Sequence, residues 1–335
     1  MKRKAEASEV SFRPHFKTHN SRSVGRIFRT MGVDKITVSS VTMAEYFAAA
    51  GWSDITIAFP VDVRAIARLK ALGEAISLNL ILDSVEAVNA VASAGVRASS
   101  WLDLDTGYRR TGVPAGDRQR IVSLATSVHS AGLELRGILT HAGHSYSAAS
   151  TDQVVTIWNE SVLQMVQARE WIASECGISP PISVGDTPGC SLVPVLENVD
   201  EIRPGNFVFY DLQQLTLGSC TADRLALAVE CPIVGVYPDR GEVVIHGGAV
   251  HLSKEYLTDR SGEPVYGGVL QVGEDGWQLL DFEAARITSL SQEHGVVTLN
   301  SAAIRQLHVG DVLLIAPVHA CLAANGASTP IKLVN

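Results

Sequence analysis

Short apolar runs alternate with amphipathic stretches through the first two-thirds of the chain, and no other feature limits its fold as much. Runs suited to strands occur at 10–16, 35–39, 54–59, 77–82, 99–104, 134–139, 181–184 and 200–203. Helical patterns lie between them. Val154, Trp158, Val162 and Met165 repeat at helical spacing, and Gly177 follows as a stop signal. Asp62 is placed to cap a helix whose apolar face is Val63, Ile66, Leu69 and Leu72. Such alternation implies parallel strands joined by helical crossovers. An open doubly wound sheet is the competing α/β arrangement, but eight units fit a closed (β/α)8 TIM barrel.

After about Gly218 the pattern changes. Residues 225–237, 242–250, 295–299 and 311–317 read as strands, separated by turn-rich pieces such as Pro238-Asp239-Arg240-Gly241 and Gly273-Glu274-Asp275-Gly276. No helical period of comparable length appears, and there is no internal repeat. The expected organisation is a barrel over 1–218 and a C-terminal all-β domain over 219–335.

With 46% hydrophobic and 19% charged residues, the 335-residue chain can fill such a core. Its net charge of -8 and lack of a dense basic run argue against nucleic acid as a partner. The five cysteines are odd in number and form no C-x-x-C, which fits the reducing cytoplasm better than a disulfide framework. The charged N-terminus lacks the apolar stretch of a signal peptide, and no run approaches the ~20 apolar residues that span a bilayer.

Active sites of such barrels lie at the C-terminal ends of the strands. The expected strand ends carry Lys17, Ser39 and Ser40, Asp83, Asp105 with Arg110, His141, Gly185-Asp186-Thr187, and Arg203-Pro204-Gly205 leading to Tyr210. A lysine leaving a buried strand is costly to desolvate, so its amine becomes a better nucleophile towards an aldehyde. Read alone, Lys17 is more often an exposed loop lysine, paired with an acid or solvated. Gly185-Asp186-Thr187-Pro188-Gly189 offers backbone N–H groups and a hydroxyl to a phosphate, or is simply a turn. Arg110 can hold a phenolate or carboxylate, or pair with a surface acid. His141-Ala142-Gly143-His144-Ser145-Tyr146 suits a planar ligand.

In the second domain His319 and Cys321 follow an apolar strand, and a period of two puts both on one face. Imidazole and thiolate together suit Zn2+; the alternative is a buried cysteine beside an unrelated histidine. Glu293-His294-Gly295 is a second cluster that could support that site.

Taken in order, these pieces resemble the D-serine dehydratase and D-threonine aldolase branch of the alanine racemase-like (fold type III) pyridoxal-phosphate enzymes. The carrying motifs are Arg13-Pro14-His15-Phe16-Lys17-Thr18-His19, Arg110-Thr111-Gly112, His141-Ala142-Gly143-His144-Ser145-Tyr146, Gly185-Asp186-Thr187-Pro188, Glu201-Ile202-Arg203-Pro204-Gly205, Glu293-His294-Gly295 and Pro317-Val318-His319-Ala320-Cys321. The resemblance implies that Lys17 holds pyridoxal 5'-phosphate and then serves as the base. It places Arg110 at the ring oxygen, His141 and Tyr146 beside the pyridine ring, and Gly185, Asp186, Thr187 and Tyr210 around the phosphate. It implies a homodimer and a small D-amino acid substrate. His319 and Cys321 would hold a divalent metal, zinc by preference. His-x-Cys is the dehydratase-like form and His-x-Asp the aldolase form, so Cys321 points to dehydration of a 3-hydroxy-D-amino acid, with hydrolysis then giving a keto acid and ammonia.

Several positions depart from the family pattern. Asn20 stands where relatives have Lys or Gln, and Asp186 replaces a small hydroxyl residue. The stretch from His246 to Lys254 differs, and relatives carry a strand and most of a helix before the position of Met1. A retro-aldolase, a racemase (which needs a second base opposite Lys17), a non-catalytic cofactor-binding protein and a disabled enzyme are the competing expectations.

Overall fold

The computed structural model describes residues 1–273, 276–282, 284–326 and 331–333. The chain forms two compact units, Met1–Gly205 and Asn206–Asn335.

The first unit is built on eight parallel strands: β1 (Ser11–Phe12), β2 (Lys35–Val38), β3 (Asp54–Pro60), β4 (Ser77–Leu82), β5 (Ser99–Asp105), β6 (Glu134–Thr140), β7 (Ile182–Val184) and β8 (Glu201–Ile202). Each strand pairs with its sequence neighbours, and β1 pairs with β8. The ring closes between β1 and β2 through one bridge, His15 to Thr37, supported by Thr37 N–H donating to Pro14 O at 2.9 Å. This is the expected (β/α)8 barrel. The first strand is much shorter than the expected 10–16 because Pro14 has no N–H to offer a ladder. Beyond it the chain turns into a 3-10 helix, Phe16–Thr18, with His15 as its cap.

The loops after β2 and β4 end in serine caps. Ser40 Oγ accepts from Met43 N–H (3.1 Å) and Ser84 Oγ from Ala87 N–H (3.4 Å), so Ser40 starts a helix instead of facing a ligand. The helix Thr151–Cys176 buries Val154, Trp158, Val162 and Met165 and ends at Gly177 with φ 72°, as its pattern predicts. Asp62 caps a 3-10 turn, Val63–Ala65, that leads into the helix Ile66–Ala75. That turn rotates Val63 off the apolar face, leaving it exposed, while Leu69 and Leu72 are buried.

A polar chain runs through the barrel interior. Arg13 Nη1 meets Asp54 Oδ1 at 2.6 Å, and Arg13 Nε meets Glu201 Oε2 at 2.8 Å. Ser183 Oγ donates to Glu201 Oε1 and accepts from Arg203 Nε, both at 2.8 Å. A buried guanidinium is tolerable only with this degree of pairing.

The second unit is an antiparallel sheet of seven strands among the described residues: β9 (Val229–Tyr237), β10 (Glu242–His246), β11 (Gly267–Gly273), β12 (Gly276–Leu279), β13 (Ala285–Leu290), β14 (His294–Leu299) and β15 (Val312–Pro317). The order is β12-β11-β13-β14-β10-β9-β15, and β11 also pairs with β15, closing a β-barrel. Cys231, Ile245, Ile287, Val297 and Ile315 fill its interior. Residues 274 and 275 of the expected 273–276 turn lie outside the described residues. The segment that opens this unit packs within it: Leu212 is fully buried in a core cluster, and Gln213 N–H donates to Val318 O at 3.2 Å. No helix among the described residues is long and apolar enough to cross a membrane.

Candidate active site

Five strand ends of the first unit bring their side chains to one rim. After β1, His15 Nδ1 accepts from Lys17 N–H at 3.4 Å, which fixes the turn that presents Lys17. After β5, Asp105 Oδ1 accepts from Gly107 N–H and Arg109 N–H, both at 2.9 Å, and Arg109 takes a left-handed φ of 58°. This tight loop delivers Arg110, whose guanidinium lies 4.9 Å from the Tyr108 ring centroid. After β6, His141 lies 5.8 Å from Tyr108 and 6.2 Å from Tyr146, centroid to centroid. Tyr108 therefore joins the cluster, although no periodic or chemical signal in the sequence marks it.

After β7, Gly185 O accepts from His141 Nδ1. Asp186 turns its carboxylate inward: Oδ2 accepts from Ser145 Oγ (3.0 Å) and Gly189 N–H (2.6 Å), capping the short helix Thr187–Leu192. Burial pushes the Asp186 carboxyl up to about 6, against those hydrogen bonds. Tyr146 Oη accepts from Thr187 N–H at 3.2 Å. Thr187 Oγ1 is buried without a hydrogen-bond partner. A hydroxyl left so in a Gly-rich loop is the kind of donor that a phosphate satisfies.

Arg203, after β8, is 4% exposed and also donates from Nη2 to Thr140 O at 2.7 Å. Its strand-end position is visible in the sequence, but its interior partners, distant along the chain, are not. The electrostatics draw the group together. Burial holds His141 down to about 3, and the charges of Lys17, Arg110 and Arg203 act on it in the same direction. His15 is lowered by burial and by Lys17, Arg203, His141 and Arg110. Three cations and two neutral imidazoles at one rim form an electropositive cradle suited to an anionic ligand. With the unpaired Thr187 hydroxyl, the donors fit pyridoxal phosphate, which brings a phosphate and a phenolate.

The remaining candidates belong to the second unit. Tyr210 takes a left-handed φ of 50°, unusual for a bulky residue, with its N–H donating to Asn206 O at 2.8 Å. His319 and Cys321 do not share a strand, contrary to expectation. β15 ends at Pro317, and a helix, Ala320–Gly326, starts where Asp211 Oδ2 accepts from Ala320 N–H at 2.9 Å. The turn still brings the two side chains into hydrogen-bond contact. His319 Nδ1 also meets Glu255 Oε2 at 2.6 Å. Although burial opposes it, hydrogen bonds to Cys321 and Glu255 push His319 up to about 10. The imidazole and thiol are N and S donors of the type zinc prefers. The second cluster does not serve this pair: Glu293 meets His246 and His251, and the acid at His319 is Glu255.

Comparison with known proteins agrees with both units. The family model for the alanine racemase N-terminal domain matches residues 1–213, and that for a serine dehydratase domain matches 226–330. A D-threo-3-hydroxyaspartate dehydratase from Delftia sp. is 32% identical, over 98% of this chain and 88% of the relative. The chain is a member of the alanine racemase-like, fold type III pyridoxal-phosphate enzymes. Within the family, the solved Delftia enzyme superposes with a TM-score of 0.88 at 30% identity, covering 97% of this chain and 88% of that one. A variant of that enzyme with a cysteine replaced by alanine was solved in a metal-free form. A D-serine dehydratase from Dictyostelium discoideum is 26% identical, over 97% of this chain and 86% of the relative.

Proposed function

We propose that this family member is a pyridoxal-phosphate- and metal-dependent lyase that eliminates water from a small 3-hydroxy-D-amino acid, the unsaturated product then hydrolysing to a keto acid and ammonia. The observation that carries the reading is the convergence of Lys17, Arg110, His141 and Arg203 on His15 at the barrel rim. Lys17 would hold the cofactor and serve as the general base for the α-proton. Arg110 faces the ring oxygen. His141 keeps Nε2 unprotonated and, with Tyr146, borders the ring. The backbone of Gly185, Asp186 and Thr187 and the Thr187 hydroxyl would hold the phosphate, while the Asp186 carboxylate braces the loop from behind. Bound pyridoxal phosphate supplies the electron sink for charge left at the α-carbon. His319 and Cys321 hold a divalent ion, zinc by preference, which supplies Lewis acidity to a β-hydroxyl. The enzyme acts as a homodimer, which its mass in solution tests.

Cys321 favours dehydration over aldol cleavage, and the dehydratases among the relatives support that choice. The test is to supply D-serine and D-threo-3-hydroxyaspartate separately to enzyme loaded with cofactor and zinc. Pyruvate or oxaloacetate with equimolar ammonia, abolished by EDTA, is expected. Glycine and an aldehyde from D-threonine, without keto acid from either substrate, would make it an aldolase instead.

A further inference from the structure

His246, His251 and Glu293 come from three segments of the second unit, yet their ligating atoms all lie within 4.8 Å of one another. His246 ends β10, His251 sits in the short helix Ala249–Leu252, and Glu293 precedes β14. The backbone that carries them is tightly held. His246 pairs with His294 across the sheet. Gly247 N–H donates to Glu293 O (3.1 Å), Ala249 N–H to Ser291 O (2.9 Å) and Val250 N–H to Gln292 O (3.2 Å). Glycines permit this approach. A Cβ on Gly248 would lie 2.4 Å from Gln292 O, and one on Gly295 would lie 2.7 Å from Gly247 O.

We propose that His246, His251 and Glu293 form a second divalent-cation site of the zinc class, separate from His319 and Cys321. Two imidazoles and one carboxylate are a zinc donor set that leaves a fourth position open. Donors bound tetrahedrally to zinc stand about 3.3 Å apart. His246 Nε2 is already 3.4 Å from Glu293 Oε2, and His251 Nε2 is 3.9 Å from the same oxygen. The His246 and Glu293 side chains are 56% and 46% exposed, so both can close on an ion that arrives from solvent. Ion pairing alone gives little reason for two imidazoles to gather at one half-exposed carboxylate. One contact opposes the ion. His251 Nδ1 accepts from Gly248 N–H at 3.3 Å, and ligation through Nε2 would move the ring proton to Nδ1 and break that long hydrogen bond. The affinity is therefore set below that of a site whose histidine faces a carbonyl.

The test is a Co2+ titration of the untagged full chain, following ions bound per chain and the thiolate-to-cobalt charge-transfer absorption. Wild type should bind two ions, of which one produces that absorption. The double variant His246→Gln, Glu293→Gln should bind one ion and keep the absorption, with the affinity of the lost site reduced at least tenfold. Cys321→Ala should lose the absorption and keep one ion. Wild type binding a single ion without the absorption, lost in the double variant, would support this site and sink the one at His319 and Cys321. A double variant that binds as many ions as wild type, or a Cys321→Ala variant that binds none, overturns the proposal. Both glutamine replacements are at half-exposed positions, and an unchanged far-ultraviolet circular dichroism spectrum excludes misfolding as the cause of a lost ion.

Discussion

His141 Nδ1 donates to the main-chain oxygen of Gly185, tying the loop after β6 to the loop after β7. A carbonyl can only accept, so the proton sits on Nδ1 and Nε2 keeps its lone pair. Burial and the facing cations hold the ring neutral, down to about 3. In the proposed mechanism His141 would work near neutrality as a fixed acceptor and wall, and proton transfer would fall to Lys17.

Gly143 keeps this wall in place. A Cβ there would lie 2.5 Å from the Tyr108 ring, which packs on His141 and under Arg110. Tyr108 is partly exposed and free to swing away, so Gly143→Ala should leave the melting temperature within a few degrees of wild type. Cofactor affinity, measured by fluorescence titration, should fall about tenfold, the size expected from losing roughly 1.4 kcal/mol of ring and cation–π contact. Unchanged affinity would remove Tyr108 from the site.

Arg13 belongs to the same sequence motif as Lys17 but has a different task. It neutralises Glu201, which is 6% exposed, and reaches Asp54. Arg13→Met leaves a buried carboxylate without its cation and should cost about 3–5 kcal/mol in urea unfolding. Pairing Arg13→Met with Glu201→Gln should recover much of that loss. A single variant as stable as wild type would contradict the interior network.

Acid should destabilise the cofactor-free protein before its carboxylates titrate. His19 and His141 are each held down to about 3, and His15 is also strongly lowered, in every case chiefly by burial. Below the ordinary histidine range the unfolded chain binds these three protons and the folded chain does not, so stability falls with pH. Asp186, raised to about 6, works the opposite way between pH 4 and 6 because its folded form holds the proton. Asp103 and Asp211, also raised by burial, oppose the histidines as well, so the loss is steepest just below the ordinary histidine range and shrinks as these carboxyls titrate. Thermal unfolding from pH 7 to 4.5 checks the sign. A melting temperature that rises on acidification would contradict the buried neutral histidines.

The barrel was legible in the sequence because each of its strands is a short apolar run between capped helices. Lys17, Arg110, His141 and Gly185 were legible because they follow such runs. The second unit was less so. Strand β11 begins with Gly267 and Gly268, whose missing side chains let Ile315 and Leu279 close in, and glycines erase the alternation that marks a strand. Tyr108 and Glu255 were missed for another reason. One acts by packing and the other across the 64 positions to His319, and neither relation leaves a local pattern. His319 and Cys321 meet on a turn and not on a strand, because Asp211, a distant residue in sequence, caps the turn that ends the strand.

Glu255 should tune the proposed metal at His319. Its carboxylate on Nδ1 leaves Nε2 to face the ion and makes the ring a stronger donor. Glu255→Gln should weaken zinc binding about 10–100-fold by equilibrium dialysis while leaving cofactor absorbance intact. Zinc affinity equal to wild type would mean that Glu255 merely pairs with a protonated histidine.

The most direct measurement is to load the protein with pyridoxal phosphate, reduce it with borohydride and map the modified peptide by mass spectrometry. The reduced cofactor should be found on Lys17 and be absent from Lys17→Ala, whose visible absorbance and turnover are both lost. Stoichiometric labelling of Lys4, Lys35, Lys70 or Lys254 instead, or no labelling of a folded protein, would contradict the assignment of this rim as the active site.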